Sequence, residues 1–247
     1  MKALHLADVA RAVLVALAAV LAACASAPKQ QAVPEAAPEA ALVRAPQGFP
    51  VDVYERLAAQ GEAVYRVGPA DALVVLTVRR GGSLARLGHD HVIASRSMQG
   101  FVAPAQGRAD LYMPLAELTV DESALRTEAG LDTQPTPSDI EGTRTNMQDK
   151  VLRVREFPYA LVQVRDVDAK KQAASASVSI TLLGTTRTST VPLVLVATRD
   201  GLRAIGMMEL KQSEFGIAPL SLLGGALQVE DAFKVRFDIR ARAPTSP

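Results

Sequence analysis

From about residue 63 onward the chain places apolar side chains at every second position, and that period restricts it to one kind of element. Ala72, Val74, Leu76 and Val78 alternate with Leu73, Val75, Thr77 and Arg79. Ala174, Ala176, Val178, Ile180 and Leu182 alternate with Ser175, Ser177, Ser179 and Thr181, and Phe233, Val235, Phe237, Ile239 and Ala241 with Lys234, Arg236, Asp238, Arg240 and Arg242. Successive side chains of a strand point to opposite faces, so each segment reads as a strand with one dry and one wet side. Antiparallel sheets give this alternation, whereas buried parallel strands read as continuous apolar runs. Turn residues punctuate the pattern at Gly81-Gly82, Asp200-Gly201 and Gly224-Gly225. Candidate strands are 63–67, 71–80, 84–95, 97–103, 108–118, 159–168, 173–184, 187–199, 201–212 and 226–242, with neighbours merging to about eight.

One segment breaks the alternation. Pro135 and Pro137 lead into Ser138-Asp139-Ile140-Glu141, which reads as a Ser-x-x-Glu capping box. It predicts a helix over 138–152 that turns Ile140, Met147 and Val151 inward and stops before Pro158. A shorter helix is expected over 51–60, with Val51, Tyr54, Leu57 and Ala58 on one side. The fold class is therefore all-β, an antiparallel barrel of about eight strands with one crossing α-helix. Closure removes the sheet edges that invite aggregation. A barrel of that size holds packed side chains or one elongated small ligand. The pattern puts charges outside, the reverse of a membrane-spanning barrel.

Residues 14–24 read Leu-Val-Ala-Leu-Ala-Ala-Val-Leu-Ala-Ala-Cys, and Cys24 is the only cysteine. Leu21-Ala22-Ala23-Cys24, behind a leader carrying Lys2 and Arg11, resembles the lipobox of bacterial lipoproteins. That resemblance implies cleavage before Cys24, acyl chains on the new N-terminal cysteine, and a membrane anchor on a chain working in the cell envelope, facing the periplasm. Ala25, rather than Asp, after the cysteine resembles the outer-membrane sorting pattern. Pro28, Pro34, Pro38, Pro46 and Pro50 make 25–50 a spacer unable to bury enough apolar surface to fold. The expected organisation is a signal peptide at 1–23, a lipidated cysteine and linker at 24–60, and a barrel domain at 61–243. Loss of Lys2, Asp8 and Arg11 with the leader cancels the chain's formal charge of +1, so no basic footprint for nucleic acid remains. With Cys24 acylated, no disulfide forms and the domain depends on burial alone.

The order of short segments resembles the YceI-like family of bacterial envelope proteins. The resemblance is carried by Tyr65-Arg66-Val67, Met98-Gln99-Gly100-Phe101-Val102, and Asn146-Met147 through Val151-Leu152 to Phe157-Pro158-Tyr159-Ala160. It continues in Leu183-Gly184-Thr185-Thr186, Glu214-Phe215-Gly216-Ile217, Leu223-Gly224 and Val229-Glu230-Asp231. It implies an elongated, lipocalin-like barrel whose hydrophobic tunnel binds a polyisoprenoid, fatty acyl or similar lipid. Arg79-Arg80-Gly81-Gly82 and Leu87-Gly88-His89-Asp90-His91 depart from the family's Phe-x-x-x-His type of segment, which leaves the ligand's identity open.

Val74, Leu76, Val78, Val178, Ile180, Val235, Phe237 and Ile239 are assigned to the inward face, as the wall of a tunnel or as the filling of a closed core. An apolar tail in a dry tunnel gains roughly 0.8 kcal/mol per buried methylene, and no catalytic residue or cofactor is required. His89 and His91, two apart, share one side if their segment is a strand. They are assigned to the tunnel mouth, hydrogen-bonded to a lipid headgroup or to backbone. As a metal pair they need a third ligand from Glu209, Asp231 or Met207, with copper or zinc as the ion. No phosphate loop, Gly-x-Ser-x-Gly elbow or His-Glu-x-x-His is present, and no enzyme is expected. Three functions stay open at this point: an anchored lipid binder, a copper- or zinc-binding envelope protein, and an interaction module with a dry core. A homodimer is a further open option.

Overall fold

The computed structural model describes residues 45–243. The expected leader, Cys24 and linker residues up to 44 lie outside the described residues. Strands are β1 (Tyr65–Val67), β2 (Ala72–Gly81), β3 (His91–Ser95), β4 (Gln99–Ala103), β5 (Arg108–Pro114), β6 (Thr119–Val120), β7 (Tyr159–Arg165), β8 (Ala173–Leu182), β9 (Thr185–Thr198), β10 (Gly201–Lys211), β11 (Ser221–Leu222) and β12 (Leu227–Arg242). They pair antiparallel in the order β1-β4-β5-β7-β8-β9-β10-β12-β2-β3-β6, with β11 added to β12. β1 with β2, β3 with β4, and β5 with β6 are broken halves of single staves. Counted so, the ring has eight staves, closed where β12 meets β10 on one edge and β2 and β1 on the other, with Arg66 opposite Arg242. The closed antiparallel barrel read from the alternation is the observed fold.

Register fixes the inner face. Phe237 sits between Val74 and Gly206, and Val235 between Leu76 and Met208, so the apolar positions of three neighbouring staves point the same way. Val178, Val191, Leu193 and Leu195 bring the inner faces of β8 and β9 to the opposite wall. Two glycines let the wall close. A Cβ on Gly206 would stand 2.4 Å from Cζ of Phe237, so the missing side chain is what lets that ring lie across β10. Gly100, at φ +148, brings β4 so near β5 that a Cβ would meet the Asp110 carbonyl oxygen at 2.2 Å.

Three local readings differ from the structure. The expected strand 84–95 begins only at His91. Ahead of it the Asp90 carboxylate accepts the Arg80 amide proton at 2.9 Å, and the Leu84 amide donates to the Ala226 carbonyl at 2.7 Å, so 84–90 folds as a turn against β12. His89 therefore precedes the strand. The crossing helix α3 (Pro137–Asn146) exists, but its capping box is Thr136 with Asp139, two residues ahead of the expected pair, and Pro137 is its first residue. It continues as a wide π turn over Met147–Val151, with Met147 buried and Ile140 and Val151 packed on the core as expected.

The outer face also departs from a simple wet surface. Helix α2 (Ser123–Glu128) covers Val75, Val92 and Ala94 with Leu125, aided by Leu131, so the outward side of β2 and β3 is a second dry layer. Helix α1 (Val51–Ala59), placed in the linker by its proline-rich surroundings, packs on the barrel through Tyr54. That ring stacks on Phe101 with centroids 5.1 Å apart, and its hydroxyl donates to Asp110 at 2.6 Å. Asp110 also accepts from Arg108 and Arg165, both at 2.7 Å. Burial, reinforced by the Asp110 carboxylate, raises the Tyr54 pKa above its ordinary value. Tyr54→Phe removes one hydrogen bond to a charged group and lowers stability by about 1.5–3 kcal/mol. Tyr54→Ala also empties an aromatic site and lowers it by about 3–5 kcal/mol. Urea denaturation of both variants reads the difference, and equal, negligible losses would mean α1 is no part of the folded body.

Candidate functional site

Inside the staves lies a cavity of about 220 Å³. Every side chain lining it is apolar except Arg108, whose guanidinium is engaged with Asp110 and lies over the Tyr54 ring. Seven of the eight residues assigned to the inward face line this space: Val74, Leu76, Val178, Ile180, Val235, Phe237 and Ile239. Val78 packs against the core beside it without lining it. The lining spans the barrel from Pro104, Val167 and Leu202, near one set of turns, to Leu115, Leu118, Leu152 and Phe215, near the end bearing α3.

Sequence reading missed the contribution of β5 and of the connections. Leu111 and Met113 belong to a strand whose outward side is also buried, so no period-two signal marks them. Met98, Leu115 and Leu152 lie in irregular segments where no period exists. Met208 and Leu210 alternate with exposed Met207 and Glu209, and that signal was available.

At the α3 end the two histidines take different roles. His91 opposes Val78 on the inner-facing side, and its Nδ1 lies 2.6 Å from an Asp121 carboxylate oxygen. A carboxylate at that distance fixes the ring proton on Nδ1 and leaves Nε2 as the free nitrogen. Asp121 is fully buried and also accepts from the Val92 amide at 3.0 Å and from Arg126 at 2.5 Å. Arg126 in turn donates to the Asp90 carbonyl at 2.7 Å and to Thr133. Burial pushes the Asp121 carboxyl up, but the hydrogen bonds from His91, the Val92 amide and Arg126 outweigh it, and its pKa lies below the ordinary carboxylate value. His89 stands edge-on to His91 at 6.3 Å and reaches only to 3.9 Å from Asp139 on α3.

The metal ligands sought elsewhere do not converge on this pair. Met207 and Glu209 are exposed on β10, and Asp231 accepts from the amide and hydroxyl of Ser213. Among the described residues no group of three or more His, Cys, Asp or Glu side chains stands together as a metal site.

The model of the YceI-like domain matches residues 77–241, most of the chain and nearly all of the barrel. The chain belongs to the YceI-like family. Among solved structures it is similar to a polyisoprenoid binding domain from Saccharophagus degradans implicated in plant cell wall breakdown, with a TM-score of 0.53 and 12% identity over 74% of this chain and 99% of that one. It also matches BcnA of Burkholderia cenocepacia (TM-score 0.49, 16% identity, 71% of this chain and 99% of that one). A third match is the YceI protein of Campylobacter jejuni (TM-score 0.43, 10% identity, 62% and 85%). No curated protein sequence matches the chain. The first of these likenesses shows a shared barrel fold.

In this YceI-like barrel the buried Asp121 network gives a pH signature. A carboxyl whose native pKa is lowered stabilises the fold fully above its ordinary value of 3.8, and that contribution disappears as the pH falls through the lowered native value. Asp121→Asn leaves Arg126 buried without its counter-ion, so it lowers stability at neutral pH by about 3–5 kcal/mol. Below pH 4 the variant should lose less further stability than the parent. Thermal melts between pH 7 and pH 3 check both, and a parallel acid response in the two proteins would refute the assignment. Gly206→Ala pushes the Phe237 ring toward the cavity and should cost about 1–3 kcal/mol by overpacking, measured in the same way.

Proposed function

We propose that this chain is a lipoprotein of the bacterial envelope, anchored to the membrane (the outer one, by the residue after the cysteine) through Cys24 and facing the periplasm. It binds one apolar lipid tail inside its barrel, for sequestration or transport. The observation that carries this reading is the 220 Å³ cavity with its carbon-lined wall. The family membership and the polyisoprenoid-binding domain with the same fold support it. The tail is a polyisoprenoid, fatty acyl or similar chain, and the protein acts by binding rather than by catalysis. Val74, Leu76, Val178, Ile180, Val235, Phe237 and Ile239 contact the tail, and Nε2 of His91, with His89, meets its polar end.

Magnitudes bound the ligand. A cavity of roughly 150 Å³ holds one benzene ring, so this one seats on the order of ten carbons. Each methylene up to that length contributes roughly 0.8 kcal/mol, about a fourfold gain in affinity. Titration with a series of fatty acids should show this slope followed by a plateau once the space is filled. Ala204→Trp fills the lumen and should abolish the binding while leaving the β-sheet circular dichroism unchanged. Extraction of the purified protein and mass spectrometry should release an apolar molecule from the parent and none from Ala204→Trp. Equal affinity for short and long chains, or no extractable lipid, would remove the proposal. Cys24→Ser should move the protein from the detergent to the aqueous phase of a cloud-point partition.

A further inference from the structure

At the barrel end bearing the histidines, two turns form one tip. β11 pairs with the start of β12, Leu222 opposite Leu227 and Ser221 opposite Gln228. The turn 82–90 is fastened to it: the Leu84 amide donates to the Ala226 carbonyl, and a Cβ on Gly88 would stand 2.9 Å from Cδ1 of Leu227. The described residues include five exposed large hydrophobic side chains, and three of them are here: Leu87 at 64%, Leu222 at 51% and Leu223 at 73%. Residues 215–229 contain no charged side chain, and exposed Arg86 adjoins Leu87.

Leu223 carries the argument furthest. Its backbone is left-handed, at φ +52, immediately before Gly224 and Gly225, which also have positive φ. A leucine is strained there where glycine or asparagine is at ease. It is also the most exposed of the five, so neither local preference nor burial in the barrel accounts for it. A second copy of the chain is a poor cover. Even an aromatic side chain removes at most about 250 Å² on burial, so three leucines fall well short of the ~800 Å² per partner in a stable interface. A bilayer surface needs no matching shape, accepts a narrow apolar tip at the acyl boundary, and offers anionic phosphates to an arginine at its rim.

We propose that the tip formed by Ser83–Gly88 and Ser221–Leu227 docks on an anionic lipid bilayer, with Leu87, Leu222 and Leu223 in the acyl boundary and Arg86 at the phosphates. This adds an orientation to the lipid-binding reading and does not depend on it.

The chain has no tryptophan, so a single one is an unmixed reporter in the full-length, anchored protein. Leu223→Trp, and separately Leu87→Trp, should shift to the blue and lose at least half its emission on vesicles of phosphatidylcholine and phosphatidylglycerol with brominated acyl chains. Val194→Trp, on the barrel wall, should do neither. A brominated fatty acid below its micelle concentration occupies the cavity without providing a surface and should leave the tip reporters unquenched, so failure of cavity binding and failure of docking are read apart. Tip reporters that stay in water beside vesicles would overturn the proposal. A blue shift that depends on protein concentration without vesicles would assign the tip to a second copy instead and would also overturn it.

Discussion

The fold depends on β12 using both of its edges. Along one it holds β10 from Gly201–Arg242 to Lys211–Ala232, and along the other β2, then β1 at Arg66. Those pairings turn an open sheet, whose inner side would be a broad apolar patch in water, into a closed ring whose remaining free edges are short. Charged groups reinforce the seam from outside: Arg203 pairs with Asp238 across β10 and β12, and Arg242 holds Asp71 and Asp200, at 2.7 and 2.5 Å. The two outermost of these are exposed and contribute little energy. They fix register where a slip of one residue would turn every apolar side chain outward.

Wherever one face of a strand is dry and the other wet, the sequence alone shows both the strand and its inward residues. β8 and β12 are of this kind, and most of their inward positions line the cavity. Legibility fails where the outer face is covered too. Leu73-Val74-Val75-Leu76 reads nearly continuous because α2 shields Val75, and β5 carries Asp110 and Tyr112 outward into buried contacts. Covering helices have weak signatures of their own. α2 spans only Ser123–Glu128, and α1 sits among prolines that elsewhere mark a spacer. The histidine pair was legible as a pair but not in its roles, because Asp121, thirty residues on, decides which nitrogen of His91 carries the proton.

The barrel's two ends are built differently. One end is finished by turns such as Pro104–Gln106 and the β7–β8 connection around Val167. The other carries α3, its π turn, the Asp121 network and the apolar tip. Two buried carboxylates lie there, each held below the ordinary carboxylate range against a burial cost: Asp121 pairs with Arg126, while the Asp90 carboxylate accepts from Arg79 and the Arg80 amide and its backbone carbonyl accepts from Arg126. Such a network is expensive to disrupt. It anchors α2 and the 129–133 segment to β3 without narrowing the lumen.

Around most of the ring a tail cannot slip sideways between two staves without breaking a ladder, but β9 and β10 are paired only as far as Leu193 opposite Gly206, and residues 185–192 and 207–211 are not paired with each other beyond it. There, at the end bearing α3, the wall has a seam whose opening costs no backbone ladder. A sleeve laced all round admits a cord only at its mouth, whereas one left unlaced along part of its length opens from the side, so the point where the lacing stops sets how readily the lumen exchanges what it holds.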